Sequence, residues 1–154
     1  MHSFFYNTPI GLLGIEEKDG KIYRIYFSEE KDKMEAAKSI GVLQETPLIK
    51  EAAEQLRDYF EGKRRAFDLP LALEGTPFQK AAWEALMSVP YGETRSYKDI
   101  AVAIGNPKAC RAIGMANNRN PVVIVVPCHR IIGHSGKLTG YGGGLPIKDY
   151  LLKL

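Results

Sequence analysis

The chain has 154 residues, of which 45% are apolar, and a formal net charge of +3 at pH 7. This length suits one compact domain or two small ones with a hydrophobic core. The sequence has no apolar segment long enough to cross a membrane and no signal-peptide pattern at its start, so we expect a cytoplasmic protein, or a nuclear one in a eukaryote. Its two cysteines and three histidines form neither a disulfide framework nor a zinc motif.

Charge is divided unevenly along the chain. Residues 1–74 carry 11 Lys and Arg against 14 Asp and Glu, whereas residues 75–154 carry 10 against 4. We predict two domains with these bounds, joined at Glu74-Gly75. A basic second half favours a polyanionic partner such as nucleic acid, although an ordinary solvated surface would explain the charge equally well.

The first half predicts a small domain of mixed α and β structure. Runs at 3–10, 11–17 and 22–27 are typical of short strands, and Asp19-Gly20 predicts a hairpin turn between the last two. Strict alternation in the third run would place Ile22 and Ile25 on opposite faces of the sheet.

A helix is predicted to begin at Thr46-Pro47, since a threonine cap followed by proline is a common helix start. The apolar residues expected on its buried face are Leu48, Ala52, Leu56 and Phe60. A last strand is predicted at 67–71. Nothing in this half is catalytic in type, so we interpret it as a structural domain.

The second half predicts a helix-turn-helix. Thr76-Pro77 opens one helix, in which Trp83 is expected in the core. Ser96 caps a shorter helix that ends at Gly105, and the next helix is predicted to run from Asn106-Pro107 to about Asn117. This arrangement is typical of DNA-binding domains but also occurs as a plain packing motif.

The second helix of that motif is built from small residues, with Arg111 as its long cation. Small residues allow close approach to a shallow surface, whereas a reader of the major groove usually presents longer polar side chains to the bases. Arg111 by itself predicts a phosphate contact. Cys110, on the same helix, is expected to be a packing residue.

The apolar run 122–126 predicts a buried, strand-like segment that ends at Pro127. Cys128 follows it and precedes His129 and Arg130. A lone cysteine in such a place is either inert core or, with an imidazole and a guanidinium beside it, a nucleophile. The spacing alone leaves both interpretations open.

Five motifs in this half occur together in one order. They are Ser96-Tyr97, Gly105-Asn106-Pro107-Lys108-Ala109, Arg111-Ala112-Ile113-Gly114, Pro127-Cys128-His129-Arg130 after Asn120-Pro121, and Gly140-Tyr141-Gly142-Gly143-Gly144-Leu145. In this order and spacing, the segment 76–152 resembles the O6-alkylguanine-DNA alkyltransferases, also called methylated-DNA–protein-cysteine methyltransferases.

The resemblance implies an α+β fold, with a ribonuclease H-like first domain and a mostly helical second domain of winged helix-turn-helix type. It implies direct reversal of DNA damage, in which O6-methylguanine is flipped out of duplex DNA and its alkyl group passes irreversibly to Cys128. O4-methylthymine is a second candidate substrate. No cofactor motif is present, so a single turnover without cofactor or metal is expected, on the minor-groove side of double-stranded DNA and by a monomer.

The resemblance also implies roles for individual residues. The catalytic candidates are Cys128 as nucleophile, His129 as a base acting through water, Asn120 as a brace of the turn and Tyr141 as a proton donor. The candidates for contact with DNA or the flipped base are Ser96, Tyr97, Lys108, Arg111, Ala112, Gly114, Ile131, Gly142 and Gly143. Among these, Arg111 would replace the flipped nucleotide in the stack, and Tyr97 would crowd its 3′ phosphate.

The sequence differs from the family pattern at two positions, and three other functions compete with this interpretation. The family usually carries a glutamate that orients the histidine at what would be position 155, and we expect the natural chain to continue to it. Asn117 stands where a larger or apolar residue is frequent. The rivals are a damage-binding protein that leaves the lesion in place, a helix-turn-helix regulator, and a cysteine hydrolase using Cys128 and His129.

Overall fold

The structure is a computed structural model that describes residues 1–133, 141 and 143–154. It divides into two compact units, Met1–Leu73 and Glu74–Leu154. Among the described residues, no helix has both the length and the apolar character needed to cross a membrane.

The first unit is a three-stranded antiparallel sheet with two helices. Its elements are β1 (His2–Thr8), β2 (Gly11–Lys18), β3 (Lys21–Phe27), α1 (Glu30–Ala37) and α2 (Pro47–Phe60). The strand order is β1-β2-β3, as expected for successive hairpins. Asp19 and Gly20 connect β2 to β3 with φ angles of 53° and 76°. Two positive φ angles define the hairpin turn that Asp-Gly predicts, so that prediction is confirmed.

A bulge in β3 corrects the predicted alternation of its side chains. Glu17 pairs with Ile22 and Glu16 with Arg24, which leaves Tyr23 as an extra residue. A bulge shifts the strand by one residue, so side chains three apart can share a face. Ile22 and Ile25 are accordingly both fully buried.

Helix α2 starts as predicted, because the Thr46 hydroxyl accepts a hydrogen bond from the Ile49 amide at 3.1 Å. Its buried residues are Ile49, Ala52, Gln55, Leu56 and Tyr59, and not Leu48 or Phe60. The predicted face used a constant spacing of four residues, which drifts around a helix of 3.6 residues per turn.

The predicted strand at 67–71 is wrong. The pairing there is one bridge, in which the Ile22 amide donates to Pro70 and the Ala72 amide donates to Ile22. Pro70 has no amide hydrogen, so it cannot extend the ladder.

The second unit is mostly helical. Its elements are α3 (Pro77–Met87), β4 (Arg95–Ser96), α4 (Tyr97–Ala103), α5 (Cys110–Asn118), a 3₁₀ turn (Cys128–Arg130), β5 (Ile131–Ile132) and α6 (Leu145–Leu152). Trp83 joins α3 to α5, since its indole nitrogen donates to the Ala116 carbonyl at 2.9 Å. Its side chain is 1% exposed, which confirms the predicted core position.

The helix-turn-helix is present, with one change of boundary. Gly105 follows α4 with φ of 78°, as the helix stop predicts. Helix α5 starts at Cys110 and not at Asn106. The Ala109 amide donates to the Asn106 carbonyl at 3.0 Å, so 106–109 form a separate turn before the helix.

Candidate active site

The apolar segment before the cysteine folds into tight turns, so the predicted strand at 122–126 is wrong. The Val125 amide donates to the Val123 carbonyl at 2.8 Å, around Ile124 with φ of 73°. This is a γ-turn with a positive φ, a rare and strained conformation for a β-branched residue. Ile124 is 1% exposed, so its side chain stays in the core although its backbone reverses.

A second γ-turn, centred on Pro127, immediately precedes the side chain of Cys128. Pro127 has φ of −81° and ψ of 62°, and the Cys128 amide donates to the Val126 carbonyl at 2.8 Å. These angles match the common, unstrained form of the turn, and proline fixes the φ angle that it needs. Cys128 then opens the short 3₁₀ turn.

Asn120 holds the ends of this segment together. Its side-chain oxygen accepts from the Val122 amide at 2.9 Å, and its amide nitrogen donates to the Val126 carbonyl at 2.7 Å. The same side chain hydrogen-bonds the thiol of Cys128. These hydrogen bonds span the turns, at the position where the resemblance implies a brace.

Cys128 lies where burial and polar contacts oppose each other. Its side chain is 3% exposed, and burial raises the pKa of the thiol to about 11. A hydrogen bond from Asn120, the positive charge of Lys148 and a hydrogen bond from Tyr141 each act to lower that pKa. These groups favour the thiolate, which is the form that acts as a nucleophile.

His129 is also buried, at 1% exposed. Burial, followed by the charges of Arg130 and Lys148, lowers the pKa of its imidazole to about 3. The ring is therefore neutral at neutral pH and can accept a proton, but the two nearby cations disfavour the imidazolium that would result. His129 is suited to pass a proton onward and not to hold it.

Arg130 anchors the 3₁₀ turn from the other side. Its guanidinium donates to the Val89 carbonyl at 2.8 Å and lies 5.7 Å from the centre of the Tyr91 ring. Only 9% of Arg130 is exposed, so it contributes to the internal structure of the site.

Lys148 is a site residue that sequence reasoning missed. It lies in α6, is fully buried, and its ammonium donates to the Ile131 carbonyl. One signal was available, because Lys148 precedes Leu151 by three residues in α6 and so shares its buried face. A lysine on such a face is unusual enough to mark a site.

Asn117 brings a second buried amide to the cysteine. Its side-chain nitrogen lies 3.4 Å from the Cys128 carbonyl, at the long end of a hydrogen bond. Among the described residues its side-chain oxygen has no donor, and the residue is 4% exposed.

The predicted DNA-contact residues of this region lie at the start of α4, on α5 and in the turn before α5. Ser96 caps α4, where its hydroxyl accepts from the Asp99 amide at 3.0 Å. The next residue, Tyr97, lies against α5, since a methyl group added at Gly114 would be 3.8 Å from its ring. Arg111 is exposed on α5, with Ala112 half-buried beside it. Lys108 is exposed in the turn before α5, and Met115, one helical turn after Arg111, is 61% exposed.

The remaining predicted residues follow Cys128 in the sequence. Ile131 is fully buried and pairs with Arg95 in a short parallel ladder that links β5 to β4. Gly143 is half-buried ahead of α6, whereas Gly142 lies outside the described residues. Gly144 caps the start of α6 with φ of 96°, a conformation that favours glycine.

Comparisons with known proteins agree over the whole chain. Residues 1–73 match the family described as 6-O-methylguanine DNA methyltransferase, ribonuclease-like domain, and residues 77–154 match its DNA binding domain. A methylated-DNA–protein-cysteine methyltransferase of Methanosarcina barkeri is 50% identical over 147 residues, which cover 96% of this chain and 92% of that protein. A constitutive one of Bacillus subtilis is 49% identical over 150 residues, or 96% and 90%.

A solved structure extends the comparison to the fold. The crystal structure of Mycobacterium tuberculosis OGT in complex with DNA superposes with a TM-score of 0.87 and 42% identity, and it covers 99% of this chain and 91% of that one. Both family models fall on the units seen in the structure, and the cysteine motif that led to the resemblance lies within the second. The chain therefore belongs to the methylated-DNA–protein-cysteine methyltransferases, a family of DNA-repair enzymes.

Proposed function

We propose that this protein removes alkyl groups from O6-alkylguanine in double-stranded DNA by transferring them to the sulfur of Cys128. The observation that carries the proposal is the surroundings of that sulfur. Two hydrogen-bonding side chains and one cation oppose the effect of burial on the thiol. A cysteine that only filled the core would gain nothing from these groups, since burial alone keeps a thiol neutral and inert.

The reaction needs the target base outside the helix. The O6 atom of a stacked guanine cannot meet a buried sulfur, so the nucleotide must rotate out of the duplex at a cost of a few kcal/mol. Arg111 is the exposed cation on α5 and is suited to fill the vacated space, while Tyr97 is suited to press on the backbone beside it. Gly114 and Ala112 allow α5 to approach DNA closely, which favours the minor groove and weak sequence preference.

The chemical step is an in-line displacement. The Cys128 thiolate forms a bond to the alkyl carbon, the bond from that carbon to O6 breaks, and its electron pair stays on guanine. The Tyr141 hydroxyl supplies a proton to the departing base, while neutral His129 accepts the thiol proton through water and passes it through water to Tyr141, so that the tyrosine is restored and no net proton is gained or lost. The product is a thioether, and no described group offers a route back to the thiol, so each chain reacts once.

The proposal extends to the state of the protein. A single site on one chain needs no second copy, so we propose a monomer acting on duplex DNA. O4-methylthymine remains the second candidate substrate, since it presents an alkyl group at a similar oxygen.

Counting transfers tests this function. Excess duplex carrying radiolabelled O6-methylguanine is incubated with the protein, and label on protein is counted. We expect one methyl group per chain, located on the Cys128 peptide by mass spectrometry. Cys128→Ala should abolish transfer, while the matched control Cys110→Ala should retain it, because Cys110 is the half-buried cysteine on α5.

Other outcomes of this experiment would favour one of the competing functions. More than one transfer per chain would reject the single-turnover reaction, and transfer by Cys128→Ala would reject the nucleophile. A regulator of helix-turn-helix type would bind one DNA sequence and transfer nothing. A damage-binding protein would hold the lesion without acquiring label.

A further inference from the structure

We propose that Asn117 is a specificity-determining residue of the alkyl-transfer site, whose side-chain oxygen accepts a hydrogen bond from the 2-amino group of the flipped guanine. This inference rests on the proposed function, since it concerns the base that is brought to Cys128. It names a group that distinguishes an alkylated guanine from an alkylated thymine, which has no amino group.

The first step of the argument is the position of Asn117. It lies in the last turn of α5, the helix on which Arg111 is exposed, and only 4% of Asn117 is itself exposed. Its side-chain nitrogen lies 3.4 Å from the carbonyl oxygen of Cys128. Helix α5 therefore carries an exposed cation on its surface and, at Asn117, places a buried amide beside the residue that holds the sulfur.

The second step is the orientation of that amide. An asparagine side chain has a donor end and an acceptor end, and exchange of the two ends would turn an oxygen toward the Cys128 carbonyl, which would repel it. The same carbonyl also accepts a hydrogen bond from the Ile131 amide. The nitrogen end of Asn117 is thereby fixed on Cys128, and the oxygen end is directed away from that carbonyl.

The third step is the state of the oxygen. It is buried, and none of the residues that the structure describes donates a hydrogen bond to it. Asn120, which also contacts the cysteine, uses its own oxygen to accept from the Val122 amide at 2.9 Å. A buried acceptor without a donor is destabilising, and a site that binds a substrate is one place where such a group is retained. The Asn117 oxygen is therefore available to a donor that enters the site.

The fourth step is the chemistry of the base. Alkylation at O6 leaves N1 of guanine without a hydrogen, so the 2-amino group is the donor that remains on that edge of the base. O6 and the 2-amino group lie on the same edge, so a base that presents its alkyl carbon to Cys128 brings the amino group toward the same residue. An O4-alkylated thymine has only acceptors on the corresponding edge. An acceptor beside Cys128 therefore favours guanine.

The test compares two duplexes that differ only in this amino group. One carries O6-methylguanine and the other O6-methylhypoxanthine, which is the same base without the 2-amino group. Single-turnover rates of methyl transfer are measured for the parent, for Asn117→Leu, which removes both ends of the amide, and for Asn117→Asp, which retains an acceptor. Asn118→Leu is the matched control, because Asn118 is the exposed neighbour on α5. Folding of each variant is followed by circular dichroism.

The quantity that decides is the rate with guanine divided by the rate with hypoxanthine. This ratio cancels changes in the thiol, and comparing it between variants cancels the different cost of flipping the two bases. We expect the ratio to fall about five- to tenfold in Asn117→Leu, since one buried hydrogen bond contributes about this factor. Asn117→Asp and Asn118→Leu should keep the parent ratio. If Asn117→Leu does not fold, Asn117→Ala takes its place with the same expected fall.

Two results would overturn the inference. A folded Asn117→Leu with the parent ratio would show that the amide does not recognise the amino group. An equal fall of the ratio in Asn117→Asp would assign Asn117 the hydrogen bond to the Cys128 carbonyl only. Either result leaves the proposed function intact if the parent transfers methyl groups from O6-methylguanine, whereas a parent that transfers none from either duplex would refute the function itself.

Discussion

The two units of the chain bury polar groups for different purposes. In the first unit the buried polar residues are spread out, and each completes a local element. Thr46 caps α2, Gln55 exchanges two hydrogen bonds with the backbone of Asp68, and Glu16 lies 3.4 Å from Arg24 on the neighbouring strand. Such contacts satisfy groups that the fold would otherwise leave without partners.

In the second unit the buried polar residues are concentrated around one turn. Among the residues of this unit that the structure describes, they are Asn117, His129, Arg130 and Lys148. All four lie on, or make contacts with, the segment that begins at Cys128 or the strand that follows it. The difference indicates that the buried polar groups of the first unit complete its fold. Those of the second unit are concentrated at Cys128, where they change the chemistry of the thiol although their burial is destabilising.

The largest effect on stability and activity is expected from a substitution of Asn120, whose side chain holds the turns before Cys128 in the second unit. Asn120→Ala removes the hydrogen bonds to Val122 and Val126 and leaves both buried backbone groups without that partner. We expect a loss of about 2–4 kcal/mol in the free energy of unfolding, together with slower alkyl transfer. Urea unfolding and a single-turnover assay measure the two effects.

The matched control is Asn118→Ala, because Asn118 is exposed at the end of α5. It should change the free energy of unfolding by less than about 0.5 kcal/mol. Equal effects of the two substitutions would show that the turns before Cys128 hold their shape without the brace.

The second prediction concerns acid stability and His129. Its pKa is about 3 when folded against an ordinary value of 6.5, so between these values the unfolded chain binds a proton that the folded chain does not. Stability should therefore be complete above pH 6.5 and fall as the pH drops toward 3, by at most about 1.4 kcal/mol per pH unit from this group. Urea unfolding over this range should show a shallower slope for His129→Gln.

His2 of the first unit provides the control for this measurement. It is half-buried in β1 and shares a hydrogen bond with the Gly41 carbonyl at 2.9 Å. His2→Gln removes an imidazole from the other unit, so comparing the two variants tests whether a change in slope belongs to His129. A parent slope identical to that of His129→Gln would mean that the imidazole is accessible to protons in the folded state.

The sequence predicts those elements correctly whose structure depends only on neighbouring residues. The Asp19-Gly20 hairpin and the helix starts at Thr46 and Thr76 follow from short-range geometry, and all three were predicted. The run 122–126 looked like a strand because its residues are β-branched and apolar. It folds as tight turns because the Asn120 side chain hydrogen-bonds both ends, and hydrophobic periodicity does not report such side-chain hydrogen bonds.

The site residues could likewise be predicted only in part from the sequence. The motif predicts Cys128, His129, Asn120 and Tyr141 as site residues, and in the structure Asn120 and Tyr141 hydrogen-bond the thiol of Cys128. Lys148 was missed because it lies far along the chain and a lone lysine in a helix normally faces solvent. Only the packing of α6 on the Cys128–Arg130 turn gives it a role.

The smallest predicted effects come from a pair of glycines, one in each unit. A methyl group at Gly14 would lie 2.5 Å from the Tyr26 ring, so Gly14→Ala should cost about 1–3 kcal/mol of stability. A methyl group at Gly114 would lie 3.8 Å from the Tyr97 ring, which is an ordinary contact. Gly114→Ala should therefore stabilise α5 by about 0.5–1 kcal/mol.

DNA affinity should distinguish the two glycine substitutions in a way that stability does not. Gly14→Ala should bind duplex DNA as the parent does, whereas Gly114→Ala should bind about fivefold more weakly, since about 1 kcal/mol is lost if a methyl group separates α5 from the groove. Fluorescence anisotropy with a labelled duplex, beside urea unfolding, measures both quantities. Gly114→Ala with greater stability and unchanged affinity would mean that α5 does not approach DNA closely, and the small residues of that helix would then serve packing alone.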